Sequence, residues 1–127
     1  MNKIILQGII IQDIKIKYDT QDNAVATFVM AHNEYFIKNG EWLQKTLFIN
    51  CIAFGKFAEK IYQKFAKKQK ILICGKLTLN IWQDEFGNNK QAYQIHIKEI
   101  HKVGQNNKMC QNPHRDNEIT EIISANT

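Results

Sequence analysis

The sequence predicts an all-β fold, a small β-barrel of five strands with one helix between strands 3 and 4. Three observations carry this expectation. Five stretches alternate apolar and polar residues or are rich in β-branched and aromatic types, the pattern of strands. A single stretch, between the third and fourth of these, switches to the i, i+3/i+4 spacing of an amphipathic helix. Polar and glycine-containing turns separate neighbouring strands at short range, as antiparallel hairpins require.

The elements follow in order. KIILQGIIIQ (3–12) and IKIKY (14–18) read as one long strand, bent near Gln12–Asp13, and DTQDN (19–23) is a polar turn. NAVATFVMAHN (23–33) is the second strand. EYFIKNGEWLQK (34–45) reads as a loop with a hairpin turn at its tip, Asn39–Gly40. TLFINCIAF (46–54) is the third strand. In FGKFAEKIYQKFAKKQ (54–69), Phe57, Ala58, Ile61, Tyr62, Phe65 and Ala66 form a helical apolar stripe and lysines fill the other face. KILICGKLTLNIWQ (70–83) returns to period 2, with Ile71, Ile73, Leu77, Leu79 and Ile81 as its core face and Gly75 where a bulge or bend belongs. DEFGNNK (84–90) is a turn and QAYQIHIKEIHKV (91–103) the last strand. Beyond Gly104 the chain turns Asn/Gln-rich, holds its only proline, Pro113, and loses periodicity, so 104–127 is expected to be a disordered, flexible C-terminal tail. Three strands, a helix and two strands, in that order, is a five-stranded OB-fold. The turn-rich hairpins and the lone helix argue against a sandwich, and an uncurled sheet covered by the helix is the alternative.

Composition narrows the function. The 127 residues are most simply one domain, 1–103, plus the tail. No run of 18 apolar residues indicates a membrane span. MNKIILQGIIIQD interrupts its apolar run with Gln7 and Gly8 and lacks a small-residue cleavage site, so it reads as a strand rather than a signal peptide. Cys51, Cys74 and Cys110 are odd in number and lack paired short spacing, which argues against a disulfide framework or zinc site and for reduced thiols in the cytoplasm. Residues 1–103 hold 15 lysines against nine acids, a net +6, while 104–127 carry −1. The folded part is basic, and a polyanionic partner is the reading this invites.

The aromatic residues sharpen it. On strand four, Trp82 shares parity with Lys76, Thr78 and Asn80 rather than with the Ile/Leu row. On strand three, Phe48 and Phe54 flank Asn50, opposite the Leu47, Ile49, Cys51 and Ala53 face. Tyr35, Phe36 and Trp42 stand in the 34–45 segment beside Lys38 and Lys45. Flat rings interleaved with lysines and amides suit single-stranded nucleic acid, whose unstacked bases offer π-faces and whose phosphates need cations. Packing of Phe48 and Phe54 beneath the helix, a subunit contact, or cross-strand packing of Trp82 fit the same residues. No catalytic or metal site is expected. Asp13, Asp19, Asp22, Asp84 and Glu85 fall in turns without a paired inward arrangement, and Cys51 sits in apolar surroundings without a neighbouring base. His32, His96, His101 and His114 lack metal-ligand spacing. A protein-binding OB module is the competing class.

The chain resembles the bacterial single-stranded DNA-binding proteins of replication and repair. MNKIILQGIIIQDIKIKY, NAVATFVMAHN with NGEW, FINCIAFGKFAEKI and ICGKLTLNIWQDEFGNNKQAYQIHI are similar to that family's blocks in order and spacing, over residues 1–103. The resemblance implies an OB-fold that assembles as a homotetramer, binds single-stranded DNA without a cofactor, and works at the nucleoid in replication, recombination and repair. It implies base stacking at Phe36, Phe48, Phe54 and Trp82 and phosphate contacts at Lys3, Lys17 and Lys56; Tyr35 and Trp42, read from the 34–45 segment itself, are further candidate DNA contacts. Two departures stand out. Thr78-Leu79-Asn80-Ile81 and Asn50 occupy positions commonly basic in the family, so weaker or more salt-sensitive binding is expected. The final EIISANT lacks the family's acidic tip closing in Pro-Phe, which weakens the expectation that the tail recruits replication and repair proteins. An accessory protein of replication restart, or one carried by a plasmid or phage, is the nearest alternative.

Overall fold

The period-2 stretches become strands in a computed structural model that describes residues 1–104 and the backbone of 122–124. They are β1 (Ile4–Ile10), β2 (Lys15–Tyr18), β3 (Ala24–Lys38), β4 (Glu41–Phe54), β5 (Lys70–Gln83) and β6 (Asn89–Lys102), with helix α1 (Gly55–Lys64) between β4 and β5. β1 and β2 are halves of one bent strand. β2 pairs with β3, β1 pairs along β5, and the end of β1 reaches β3 at Ile9–Ala31 and Ile10–Met30. Parallel pairing of β4 with β6 at Asn50–Gln94 through Ile52–His96 links the two hairpins. The order β1-β5-β6-β4-β3 therefore returns to β1, and the sheet closes as the five-stranded OB barrel. The uncurled alternative is excluded.

Two glycines permit the close approaches this needs. A Cβ on Gly8 would lie 2.3 Å from the Ala31 carbonyl oxygen, where β1 crosses β3. A Cβ on Gly75 would lie 2.2 Å from the His96 oxygen, at the register shift between Cys74 and Gly75. That shift is the bulge expected at Gly75. Inside the barrel Ile10, Met30, Ile71, Ile73, Ile95, Ile97 and Ile100 are fully buried, and α1 adds Phe57, Ala58 and Ile61. Burial pushes the Cys51 thiol up to about 12, consistent with an inert core cysteine. Cys110 lies outside the described residues.

Three expectations need correction. Residues 34–45 are not a loop: β3 and β4 stay paired to Lys38–Glu41, leaving only Asn39 and Gly40, at φ 53° and 79°, as a two-residue turn. The helix ends at Lys64 because Phe65 turns extended, although its ring remains buried; Tyr62 and Ala66 are exposed. Leu77, Leu79 and Ile81 do not join the core. Beyond Gly75 and Gln94, β5 and β6 have lost their pairings with β1 and β4 and continue as a two-stranded arm, leaving Ile81 64% exposed. The β3–β4 arm projects likewise beyond its pairing with β6. A short strand, β7 (Ile122–Ser124), pairs antiparallel with β6 at Glu99–His101. The rest of the segment expected to be a tail lies outside the described residues.

Candidate functional site

Strict alternation along β4 sends Cys51 and Ala53 into the core and Trp42, Phe48, Asn50, Ile52 and Phe54 to the outside. Register then fixes what stands beside them, since directly paired residues share a face. One row crosses five strands, Lys15–Thr27–Ile52–His96–Lys76, with a lysine at each end. The next row is Val29–Asn50–Gln94–Thr78, where the Thr78 hydroxyl donates to the Gln94 carbonyl at 3.3 Å. On the other side lies Lys17–Val25–Phe54. A groove of about 240 Å³ runs over this face, lined among others by Lys15, Thr27, Asn50, Asn80, Trp82 and Gln94. It brings Trp82 of the β5 arm to the surface that carries Asn50.

The six aromatic candidates, Tyr35, Phe36, Trp42, Phe48, Phe54 and Trp82, are between 41% and 71% exposed. Neither the core nor the underside of α1 receives Phe48 or Phe54. The six do not share one face. Tyr35, Trp42, Phe48 and Phe54 lie on the outer side of the β3–β4 ladder, whereas Phe36 pairs with Leu43 on the reverse side. Phe54 is held edge-on to His96, ring centroids 5.0 Å apart and planes at 83°.

The lysine candidates spread around this surface. Lys17 shares the Phe54 row, and Lys56 stands in the first turn of α1, two residues past Phe54. That turn has no side-chain cap and no acid, so its free amides and Lys56 make a positive end beside the ring. Lys3 lies away from the groove, at a second concavity of about 450 Å³ lined by Lys76, Lys98, Cys74 and Glu99. His96, Lys15, Lys76 and Lys98 were not among the sequence candidates. Lys15 was within reach, because it shares the parity of Lys17. Partial burial, then the neighbouring Lys98 and Lys76, hold the His96 imidazolium below the ordinary histidine range. Among the described residues, no cluster of three His, Cys, Asp or Glu is arranged to hold a metal ion.

The sequence and fold of the chain are similar to those of known proteins. The model of the single-strand binding protein family matches residues 1–103. A Helicobacter hepaticus protein named single-stranded DNA-binding protein is 30% identical over 116 residues, covering 91% of this chain and 68% of that one. Proteins of the same name from Borreliella burgdorferi and Wolinella succinogenes are 28% and 33% identical, covering 72% and 74% of this chain. The matches span 62% and 59% of those two relatives' own lengths. A solved structure of the Plasmodium falciparum SSB in complex with single-stranded DNA superposes with a TM-score of 0.68 at 26% identity, over 76% of this chain and 85% of that one.

Proposed function

This chain belongs to the single-strand binding protein family, and on that premise we propose that residues 1–103 bind and protect single-stranded DNA, without catalysis, during replication, recombination and repair. The observation that carries the proposal is the exposure of Phe48, Phe54 and Trp82 on one face of the sheet, Trp82 lining its groove, beside a cross-strand row with a lysine at each end. Bases stack on these rings, with Tyr35 and Trp42 extending the platform along the β3–β4 arm. Each stacked base is worth about 1–3 kcal/mol and needs no particular base edge, which makes recognition tolerant of sequence. Phe36, on the reverse side of the arm, meets a strand that wraps around the arm. Lys3, Lys17 and Lys56 contact phosphates, and each contact releases counterions. Asn50, Thr78 and Asn80 line the same face without charge, which supports a weaker complex, since each missing phosphate contact removes counterion release and its share of the salt dependence.

Homotetrameric assembly and a place at the nucleoid extend the reading from the family. Among the described residues, no helix is long and apolar enough to cross a membrane. The test is a titration with oligo-dT of several lengths at two salt concentrations, paired with a sizing measurement. Saturable, salt-reversible binding by a tetramer is the expected outcome. Absence of oligo-dT binding with retained affinity for a protein ligand would favour the interaction-module reading.

A further inference from the structure

Phosphate neutralisation in this chain has to come from somewhere other than the strand-four positions ahead of Trp82, which read Thr78-Leu79-Asn80-Ile81. The residue paired with Trp82 is Lys90, and its ammonium lies 4.0 Å from the Asp84 carboxylate. At the other end of the same two strands the picture reverses. The bulge at Cys74/Gly75 places an extra residue, Lys98, between Ile97, opposite Gly75, and Glu99, opposite Cys74. A bulge re-aims the side chains around it. Lys98, Lys76 and Lys3 all line the 450 Å³ concavity that results. Among the described residues, no carboxylate comes within ion-pair distance of these three or of Lys15. Among the described residues Glu99 is the one acid of the concavity; it is half-buried and near enough to the Cys74 thiol to oppose its ionisation, and against the three lysines it leaves a net charge near +2.

Lys76 belongs to this corner and also ends the row Lys15–Thr27–Ile52–His96–Lys76, which passes beside Phe54. We propose that the bulge corner of Lys3, Lys76 and Lys98 is a phosphate-binding subsite, and that the backbone of a single strand stacked on Phe54 crosses the barrel along this row, from Lys15 to the corner. The inference rests on the proposed function, since it sets the path of the ligand that function binds. It moves the chain's phosphate grip from the tip of the β5–β6 arm to its base.

The experiment compares the salt dependence of oligo-dT affinity for the wild type, for Lys76→Gln and Lys98→Gln singly and together, and for a helix variant, Lys60→Gln/Lys67→Gln, whose lysines are exposed on α1 and on the turn that follows it. Each lost phosphate contact to a single strand lowers the slope of log K against log salt by about 0.7. The Lys76→Gln/Lys98→Gln double variant is therefore expected to lose about 1.4 of slope, and the helix variant none. The single variants, each losing about half, read the effect if the double variant is poorly folded. An unchanged slope in Lys76→Gln and Lys98→Gln with oligo-dT still bound through Phe48 and Phe54 overturns the corner and leaves the function standing. Equal loss in the helix variant also overturns it, since the effect is then one of net charge alone. A wild type that does not bind oligo-dT overturns both.

Discussion

Replacement of Phe48 by alanine separates binding from folding more sharply than any other change on this surface. The ring is 62% exposed and its cross-strand partner is only Ala31, so little packing is lost with it. Substitutions of that kind usually alter stability by no more than about 0.5 kcal/mol. Loss of one stacked base, in contrast, removes about 1–3 kcal/mol of binding free energy, or about fivefold to about 150-fold in Kd. Trp82→Ala is expected to act in the same range. If the two rings hold different bases, the double variant shows the sum within about 0.5 kcal/mol. Anisotropy of a labelled oligo-dT at fixed salt reads the affinities, and thermal unfolding reads the stabilities. A Phe48→Ala protein that binds within twofold of the wild type refutes the stacking role. So does one whose weaker binding is matched by an equally large loss of stability.

Other outcomes follow from the same structure. Gly75→Ala pushes a Cβ to 2.2 Å from the His96 carbonyl oxygen, a backbone atom that cannot swing aside, so a loss of about 2–4 kcal/mol in denaturant unfolding is expected. Ile81→Asp, on the arm's exposed side, is expected to leave stability within about 0.5 kcal/mol, whereas a charge at the fully buried Ile73 prevents folding. His96 gives two opposite pH trends. Its folded pKa is depressed, so it stabilises the free protein above the ordinary histidine value of about 6.5, and that contribution is lost as pH falls through the lower folded value. A nearby phosphate favours the imidazolium, so oligo-dT affinity is expected to rise over the same fall in pH, and His96→Asn to flatten both trends.

Much of this arrangement was readable in the chain. Alternation located all the barrel strands, the period change at Phe57 marked the helix, and Gly75 announced the bulge. Two of the three errors share one cause: hydrophobic pattern reports contrast between two environments, and the arms have only one. Residues 34–45 are wet on both sides of the β3–β4 arm, so no alternation distinguished strand from loop. Leu77, Leu79 and Ile81 keep the spacing of a core face but stand past the point where the barrel's neighbouring strands fall away. Phe65 continued the helical stripe because its ring is buried, while its backbone had already left the helix. The facing of Phe36 was open to derivation. A two-residue turn at Asn39–Gly40 pairs Lys38 with Glu41, hence Phe36 with Leu43, and places it on the side away from Phe48. The cationic row was not legible, because it depends on parallel pairing of β4 with β6, strands that are distant in sequence.

The most direct measurement is the fluorescence of Trp82 alone, in a Trp42→Phe protein, during titration with oligo-dT. The expected result is strong quenching that saturates, is reversed by added salt, and is absent with a duplex of equal length. An emission that oligo-dT leaves untouched while binding is seen by another probe would mean that bases do not lie on this face.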